Sequence, residues 1–130
     1  MRSSLLVTTL MIASASTPAF AGRPSLSPGA LDEVRSKAHA PLILDVRSEE
    51  EFRAGHIPGA RNIPHDQLNR RLAEIGDPKW VVVYCRSGRR AGIAEKIIDR
   101  SGVEVRQLEG SWLSWDSAGL PKHTDPHGSH

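Results

Sequence analysis

The chain has 130 residues, of which 38% are hydrophobic and 25% charged, with 17 Lys+Arg, 15 Asp+Glu and one cysteine. These numbers fit one folded domain and exclude a second large domain, a disordered chain, a disulfide framework and a cysteine-rich zinc site. The net charge of +2 also argues against a nucleic-acid-binding surface or a polybasic membrane patch at the level of the whole chain.

Residues 1–21 have the pattern of a secretory signal peptide. Arg2 supplies the positive start, residues 5–13 form the apolar segment, and Ala19 and Ala21 flank Phe20 as in a cleavage site. We expect cleavage after residue 21, which removes 21 of the 130 residues and leaves 109. The sequence therefore predicts an exported protein with no stable membrane association after cleavage.

The chain that follows begins with a helix, a strand and a second helix. Ser27 has the position of an N-cap for a short first helix. The apolar positions of that helix are Leu31, Val34 and Ala38. Residues 42–46 are a continuous apolar run ending in a charge, which is typical of a strand buried in a parallel sheet. Ser48 and Glu51 have the spacing of a capping box, and Gly55 is expected to end the second helix.

Strands and helices continue to alternate in the second half of the chain. Residues 80–84 give the strongest strand signal, and this strand delivers Cys85 at its carboxyl end. The other predicted elements are an extended segment at 61–64, a strand at 103–108 and helices at 68–75, 91–101 and 111–118. This alternation predicts a single α/β domain with a mostly parallel central sheet and helices on both faces. Sites in such sheets lie beyond the carboxyl ends of the strands.

The segment after the third strand concentrates positive charge that the overall balance conceals. It reads Cys85, Arg86, Ser87, Gly88, Arg89, Arg90. A tight turn around Gly88 would direct backbone N–H groups inward at the start of the next helix and form an anion-binding site. The same surroundings favour a thiolate, and reactive cysteines of this kind are partly exposed. We therefore predict that Cys85 is a nucleophile and not an inert core thiol.

This loop and two further motifs resemble the rhodanese family. The motifs occupy residues 45–47 with 51–52 and 56–60, residues 85–90, and residues 110–112 with Trp115 and 119–121. The resemblance extends over about residues 27–121, and it departs from many relatives at Gly110-Ser111, where two glycines are frequent. Together with the export signal, it resembles the small single-domain periplasmic rhodaneses of bacteria. We read the domain as residues 22–121, followed by a polar tail at 122–130.

The resemblance implies a thiosulfate sulfurtransferase. Its nucleophile would be Cys85, whose persulfide would carry sulfur from thiosulfate to cyanide or a thiol. The substrate-binding residues implied by the loop are Arg86, Ser87, Gly88, Arg89 and Arg90, whose guanidinium groups suit oxyanions. Asp45 and Arg47 are expected to act structurally near the site. No metal and no cofactor are expected. The expected partners are the thiosulfate anion and a thiol or cyanide acceptor, and no nucleic acid. The protein is expected to be a monomer.

Three alternative functions agree less well with the sequence than a thiosulfate sulfurtransferase does. A cysteine phosphatase or arsenate reductase would need five residues between the cysteine and its arginine, whereas only four separate Cys85 from Arg90. A thiol-disulfide oxidoreductase would need a second, resolving cysteine. From a different class, the domain could be a non-catalytic sulfur-carrier or binding module, and that reading stays open. The resemblance also implies thiosulfate, and not mercaptopyruvate, as the sulfur donor, because relatives that prefer mercaptopyruvate resemble a less charged loop.

The histidines are expected to have minor roles. His56 fits a turn residue that hydrogen-bonds the backbone, because a thiolate that is already formed needs no general base. The tail contains His123, His127 and His130, and a solvated terminus is favoured there over a metal-binding tail.

Overall fold

Four parallel strands form the sheet of the computed structural model, which describes residues 3–4 and 23–125. The strands are β1 (Leu42–Asp45), β2 (Arg61–Asn62), β3 (Trp80–Tyr84) and β4 (Glu104–Gln107), in the spatial order β2-β1-β3-β4. All three strand pairs are parallel. Apart from residues 3–4, the predicted signal peptide lies outside the described residues, as do His127 and His130.

Side chains of β3 alternate between two hydrophobic cores, one on each face of the sheet. Val81 and Val83 lie in one core, while Val82 and Tyr84 lie in the other. All four are fully buried. This is the pattern of a central strand covered on both sides, and it explains why the sequence of β3 is a continuous apolar run.

Helices cover both faces, as the sequence predicts. They are α1 (Pro28–Val34), α2 (Glu49–Ala54), α3 (Leu68–Arg71), a 3-10 helix (Leu72–Ile75), α4 (Arg89–Arg100) and α5 (Ser111–Ser117). Leu31 of α1 and Trp115 of α5 pack in the core with Tyr84. Leu68 of α3 and Ile98 of α4 pack in the core with Val83. Within the described ranges, no helix has the length and apolar character needed to cross a bilayer.

The predicted caps of the first two helices are present. The Ser27 hydroxyl accepts a hydrogen bond from Ala30 N–H at 3.2 Å. Ser48 and Glu51 form a reciprocal capping box, in which each side chain accepts a hydrogen bond from the backbone N–H of the other residue. These caps satisfy N–H groups that a helix start leaves without a partner, so the first residues of α1 and α2 are fixed by local sequence.

Three predicted helix boundaries are wrong. The first helix ends at Val34 and not near Ala38, because Lys37 N–H bonds the carbonyl of Val34 and tightens the chain into turns. Residues 68–75 are not one α-helix: at Arg71 φ is −113°, and the chain continues as a 3-10 helix. The helix after Cys85 begins at Arg89, two residues earlier than predicted.

Candidate active site

The ends of the two central strands and the start of α5 meet around Cys85. Cys85 directly follows β3, and the chain leaving β4 turns into α5 at Ser111. Trp112 N–H donates to the carbonyl of Cys85 at 2.9 Å, and Leu113 N–H donates to the carbonyl of Arg86 at 3.1 Å. These bonds tie the first two residues of the loop after β3 to the start of α5.

The Cys85 thiol lies beneath the loop main chain. Gly88 N–H donates to the sulfur at 3.0 Å. Cys85 N–H donates to the Ser111 hydroxyl at 3.4 Å, and that oxygen is 3.9 Å from Sγ. Cys85 is only 1% exposed. The expectation of a partly exposed thiol is therefore wrong, because the loop closes over the sulfur.

Gly88 makes this closure possible. Its φ is +125°, a backbone conformation that side chains rarely adopt, and it stands immediately before the first residue of α4. The sharp turn at Gly88 directs its own N–H back to the sulfur three residues earlier. It also places Arg89 and Arg90 in the first turn of α4, whose free N–H groups carry positive partial charge.

Arg90 is engaged by Glu51 of α2. The guanidinium donates two hydrogen bonds, from Nη1 to Oε1 at 2.6 Å and from Nη2 to Oε2 at 3.0 Å. Hydrogen bonding to Arg90 lowers the pKa of Glu51 to about 2, and the same bonds raise the pKa of Arg90. Because Oε1 of Glu51 also accepts from Ser48, one carboxylate caps α2 and anchors the start of α4.

The other loop side chains face solvent. Arg86, Ser87 and Arg89 are exposed, and Gly88 is half-buried. Within residues 23–125, neither Arg86 nor Arg89 has an ion-pair partner, in contrast to Arg90. The two exposed guanidinium groups are thus the cations of this loop that can meet an anion from solution.

Asp45 and Arg47 form a buried ion pair beside the loop. Arg47 Nη2 lies 2.6 Å from Asp45 Oδ2, and the two side chains are 4% and 0% exposed. Burial by itself lowers the pKa of Arg47, but the hydrogen bonds and charge of Asp45 outweigh it and raise that pKa. Arg47 also donates to the carbonyl of Gly55 at 2.6 Å and lies 4.7 Å from the centre of the Trp112 ring. The pair therefore connects β1, α2 and α5.

Ser111 is the site residue that sequence reasoning missed. It is fully buried and has φ +53°, the one positive φ of a non-glycine residue within the described part of the chain. The only sequence signal was the departure from the double glycine of many relatives. The serine occupies a conformation that suits glycine, and its hydroxyl contacts the Cys85 main chain.

His56 bonds the backbone, as its sequence context suggested. Its Nδ1 lies 2.7 Å from the carbonyl oxygen of Phe52, and its ring stacks on the Phe52 ring at 3.6 Å. His123 lies beside it, with its own side chain exposed. An open cavity of about 680 Å³ lies between α2 and residues 62–71, and Arg53, Arg90 and Asp125 are among the residues that line it.

The chain belongs to the rhodanese-like domain family, whose model matches residues 29–118. A sulfurtransferase of Allochromatium vinosum is 36% identical over 81 residues, which are 62% of this chain and 76% of that protein. An HTH-type transcriptional regulator of Mycobacterium tuberculosis, Rv0324, is 44% identical over 89 residues, which are 67% of this chain and only 39% of the regulator.

A solved structure shows the same fold. The crystal structure of a thiosulfate sulfurtransferase from Pseudomonas aeruginosa superposes with a TM-score of 0.72 and 27% identity. The match covers 80% of this chain and 20% of that chain. The matched domain thus makes up most of the Allochromatium vinosum protein and a small part of the Pseudomonas aeruginosa chain.

Proposed function

We propose that this protein is a thiosulfate sulfurtransferase with Cys85 as its nucleophile. The observation that carries the proposal is the hydrogen bond from Gly88 N–H to Cys85 Sγ in a loop with two exposed arginines. A main-chain donor aimed at the sulfur stabilises negative charge there, both on a thiolate and on a persulfide anion. The named activities of the Allochromatium vinosum and Pseudomonas aeruginosa relatives support the same reaction class.

The reaction proceeds in two displacement steps. The Cys85 thiolate attacks the outer sulfur of thiosulfate, a bond forms between the two sulfurs, and the bond to the sulfite sulfur breaks. Sulfite leaves with that electron pair, and Cys85 is left as a persulfide. Cyanide or a thiolate then attacks the terminal sulfur, which restores the Cys85 thiolate. No net oxidation occurs, so neither step needs an external oxidant or reductant.

The exposed arginines orient the donor. The planar guanidinium group can donate two parallel hydrogen bonds to the sulfonate oxygens of thiosulfate. Arg86 and Arg89 are the loop arginines that are not held by a carboxylate within residues 23–125. Because Cys85 is only 1% exposed, the loop has to open slightly before the outer sulfur can reach Sγ. Arg90, held by Glu51, then anchors the fixed end of the loop.

The proposed location of the protein is the periplasm. The signal-peptide pattern of residues 1–21 supports export and cleavage. The substrate is a small anion, and the protein acts as a monomer without nucleic acid or a lasting membrane contact. The basic loop supports thiosulfate, and not mercaptopyruvate, as the donor. A kcat/KM that is higher with mercaptopyruvate than with thiosulfate would overturn this choice of donor.

Steady-state kinetics with thiosulfate and cyanide test the assignment of the arginines. We expect Arg89→Ala to raise the KM for thiosulfate by about tenfold or more, because one charge-assisted contact to an oxyanion is lost. Arg100→Ala, which changes an exposed arginine at the opposite end of α4, is the matched control and should leave KM unchanged. Equal KM values for the Arg89→Ala and Arg100→Ala proteins would contradict the proposed donor-binding role.

A non-catalytic binding module is the second candidate. It is favoured by the regulator relative, in which a matching domain makes up 39% of the protein, and by the burial of Cys85. This candidate predicts no turnover of thiosulfate and no difference between the protein and its Cys85→Ser variant. Thiosulfate-dependent formation of thiocyanate that is abolished by Cys85→Ser would exclude it.

A further inference from the structure

We propose that His56, His123 and Asp125 form a binding site for a divalent transition-metal ion of the Zn²⁺ class. One potential ligand atom from each residue lies within 4.8 Å of the other two. The inference is independent of sulfur transfer, because it uses none of the residues around Cys85. The sequence suggested metal binding only as the weaker alternative for the tail that contains His123, and it did not connect that residue with His56, which is far away in the chain.

Backbone pairing brings the three side chains together. His56 N–H donates to the carbonyl of His123, and His123 N–H donates to that of His56, each at 2.9 Å. Such directly opposed residues of an antiparallel bridge have side chains on the same face. Asp125 follows His123 by two residues, and in an extended chain every second side chain points to the same face. The N–H of Asp125 donates to the carbonyl of Arg53 at 3.1 Å.

His56 is prepared as a metal ligand. A carbonyl oxygen only accepts hydrogen bonds, so His56 Nδ1 carries the proton that it shares with Phe52. That assignment leaves Nε2 with its lone pair free, which is the arrangement found in metal-binding histidines whose other nitrogen donates to the backbone. Stacking on Phe52, with 9° between the rings, fixes the orientation of the imidazole.

The spacing of two of the potential ligands suits a small tetrahedral ion. His123 Nε2 and Asp125 Oδ1 are 3.2 Å apart, close to the ~3.3 Å between neighbouring ligands when metal–ligand bonds are about 2.0–2.2 Å. Two imidazoles and one carboxylate are ligands that Zn²⁺ accepts, whereas Mg²⁺ and Ca²⁺ prefer sets made of oxygen. The side chains of His123 and Asp125 are 59% and 40% exposed, so the fourth position is open to water.

Zn²⁺ binding to tag-free protein tests the site. We would measure it by calorimetry in a background in which Cys85 is replaced by Ser and both His127 and His130 by Ala. These substitutions remove the thiol and the remaining tail histidines as competing ligands. We expect one Zn²⁺ per chain, and no comparable binding of Mg²⁺.

Two single substitutions in that background test the exposed ligands, and a third is the control. His123→Ala and Asp125→Asn change exposed or half-buried side chains, so both proteins should fold, and each should weaken Zn²⁺ binding by at least about tenfold. His39→Ala removes an exposed histidine elsewhere and should have no effect. Co²⁺ should give visible absorption bands typical of tetrahedral coordination in the background protein but not in His123→Ala. Failure of the background protein to bind Zn²⁺, or equal affinities of the His123→Ala and His39→Ala proteins, would overturn the proposal.

Discussion

Single residues around Cys85 carry strain and buried charge that the rest of the fold has to support. Ser111 adopts φ +53° and contributes a hydroxyl to the Cys85 main chain, while Arg47 and Asp45 are charged and almost completely buried. Both features stand at the carboxyl ends of the strands, where ligands bind in parallel sheets. Backbone strain of this kind is costly and is found most often at functional sites, where the surrounding structure holds it in place.

Two substitutions of Ser111 separate its backbone conformation from its hydroxyl. Ser111→Ala keeps the unfavourable φ and loses the hydroxyl, so we expect the free energy of unfolding to fall by about 1 kcal/mol. Ser111→Gly also loses the hydroxyl but removes the strain, so its loss should be smaller. Urea denaturation of the two variants checks this order. A Ser111→Gly protein less stable than Ser111→Ala would show that the φ angle carries no strain.

Removal of one partner from the buried ion pair should be severe. Arg47→Met leaves the Asp45 carboxylate buried without its cation, and we expect a loss of about 3–5 kcal/mol in the free energy of unfolding. The double variant Asp45→Asn with Arg47→Met removes both charges and should recover part of that loss. Urea denaturation of the single and double variants measures the difference. Equal stabilities of the two proteins would mean that the unpaired charge is not the cause.

At the scale of elements, Glu51 links two helices that the sequence predicts separately. The capping box of α2 is predictable because Ser48 and Glu51 are three residues apart, whereas Arg90 is 39 residues from Glu51 and is brought to it only by the fold. The sequence predicts a substrate-binding role for Arg90, but it does not reveal that the Glu51 carboxylate binds this arginine. With Arg90 held by Glu51, we propose Arg86 and Arg89 as the arginines that contact a donor.

The Glu51–Arg90 pair predicts a pH dependence of stability. The pKa of Glu51 is lowered from its ordinary value of 4.5 to about 2, so the stabilisation is complete above about pH 5 and is lost as the pH falls towards 2. Both side chains are about 30% exposed, and the contribution is on the order of 1 kcal/mol. Urea denaturation should therefore show a deficit for Glu51→Gln at pH 7 that shrinks at pH 2. Glu50→Gln, next to it on α2, is the control. An equal deficit of Glu51→Gln at both pH values would contradict the assignment.

Much of the fold is predictable from sequence because its signals are local. The strand Trp80–Tyr84 is predicted to the residue, since an unbroken apolar run can only be buried on both faces, and the Cys85 loop is contiguous. The division of residues 68–75 is not predictable, because apolar periodicity does not distinguish one α-helix from a short α-helix that continues as a 3-10 helix. The burial of Cys85 and the cluster around His56 depend on tertiary contacts, which the order of residues does not reveal.

At the scale of the whole molecule, the parallel sheet accounts for the location of the site. Its two central strands end at Asp45 and Tyr84, so Arg47 and Cys85 lie at the same edge, and α5 returns there from β4. The C-terminal segment joins this arrangement through the pairing of His56 with His123. We therefore propose that one small domain holds a nucleophile, an anion-binding loop and a separate metal site.

Intact-mass spectrometry after treatment with thiosulfate tests the central claim most directly. We predict a gain of one sulfur atom on the protein, its removal by cyanide with return of the original mass, and no adduct on Cys85→Ser. Protein isolated from an exporting host should show the mass of the 109-residue form before treatment. Absence of the sulfur adduct, or an adduct that persists in Cys85→Ser, would contradict the assignment of Cys85 as the sulfur-carrying nucleophile.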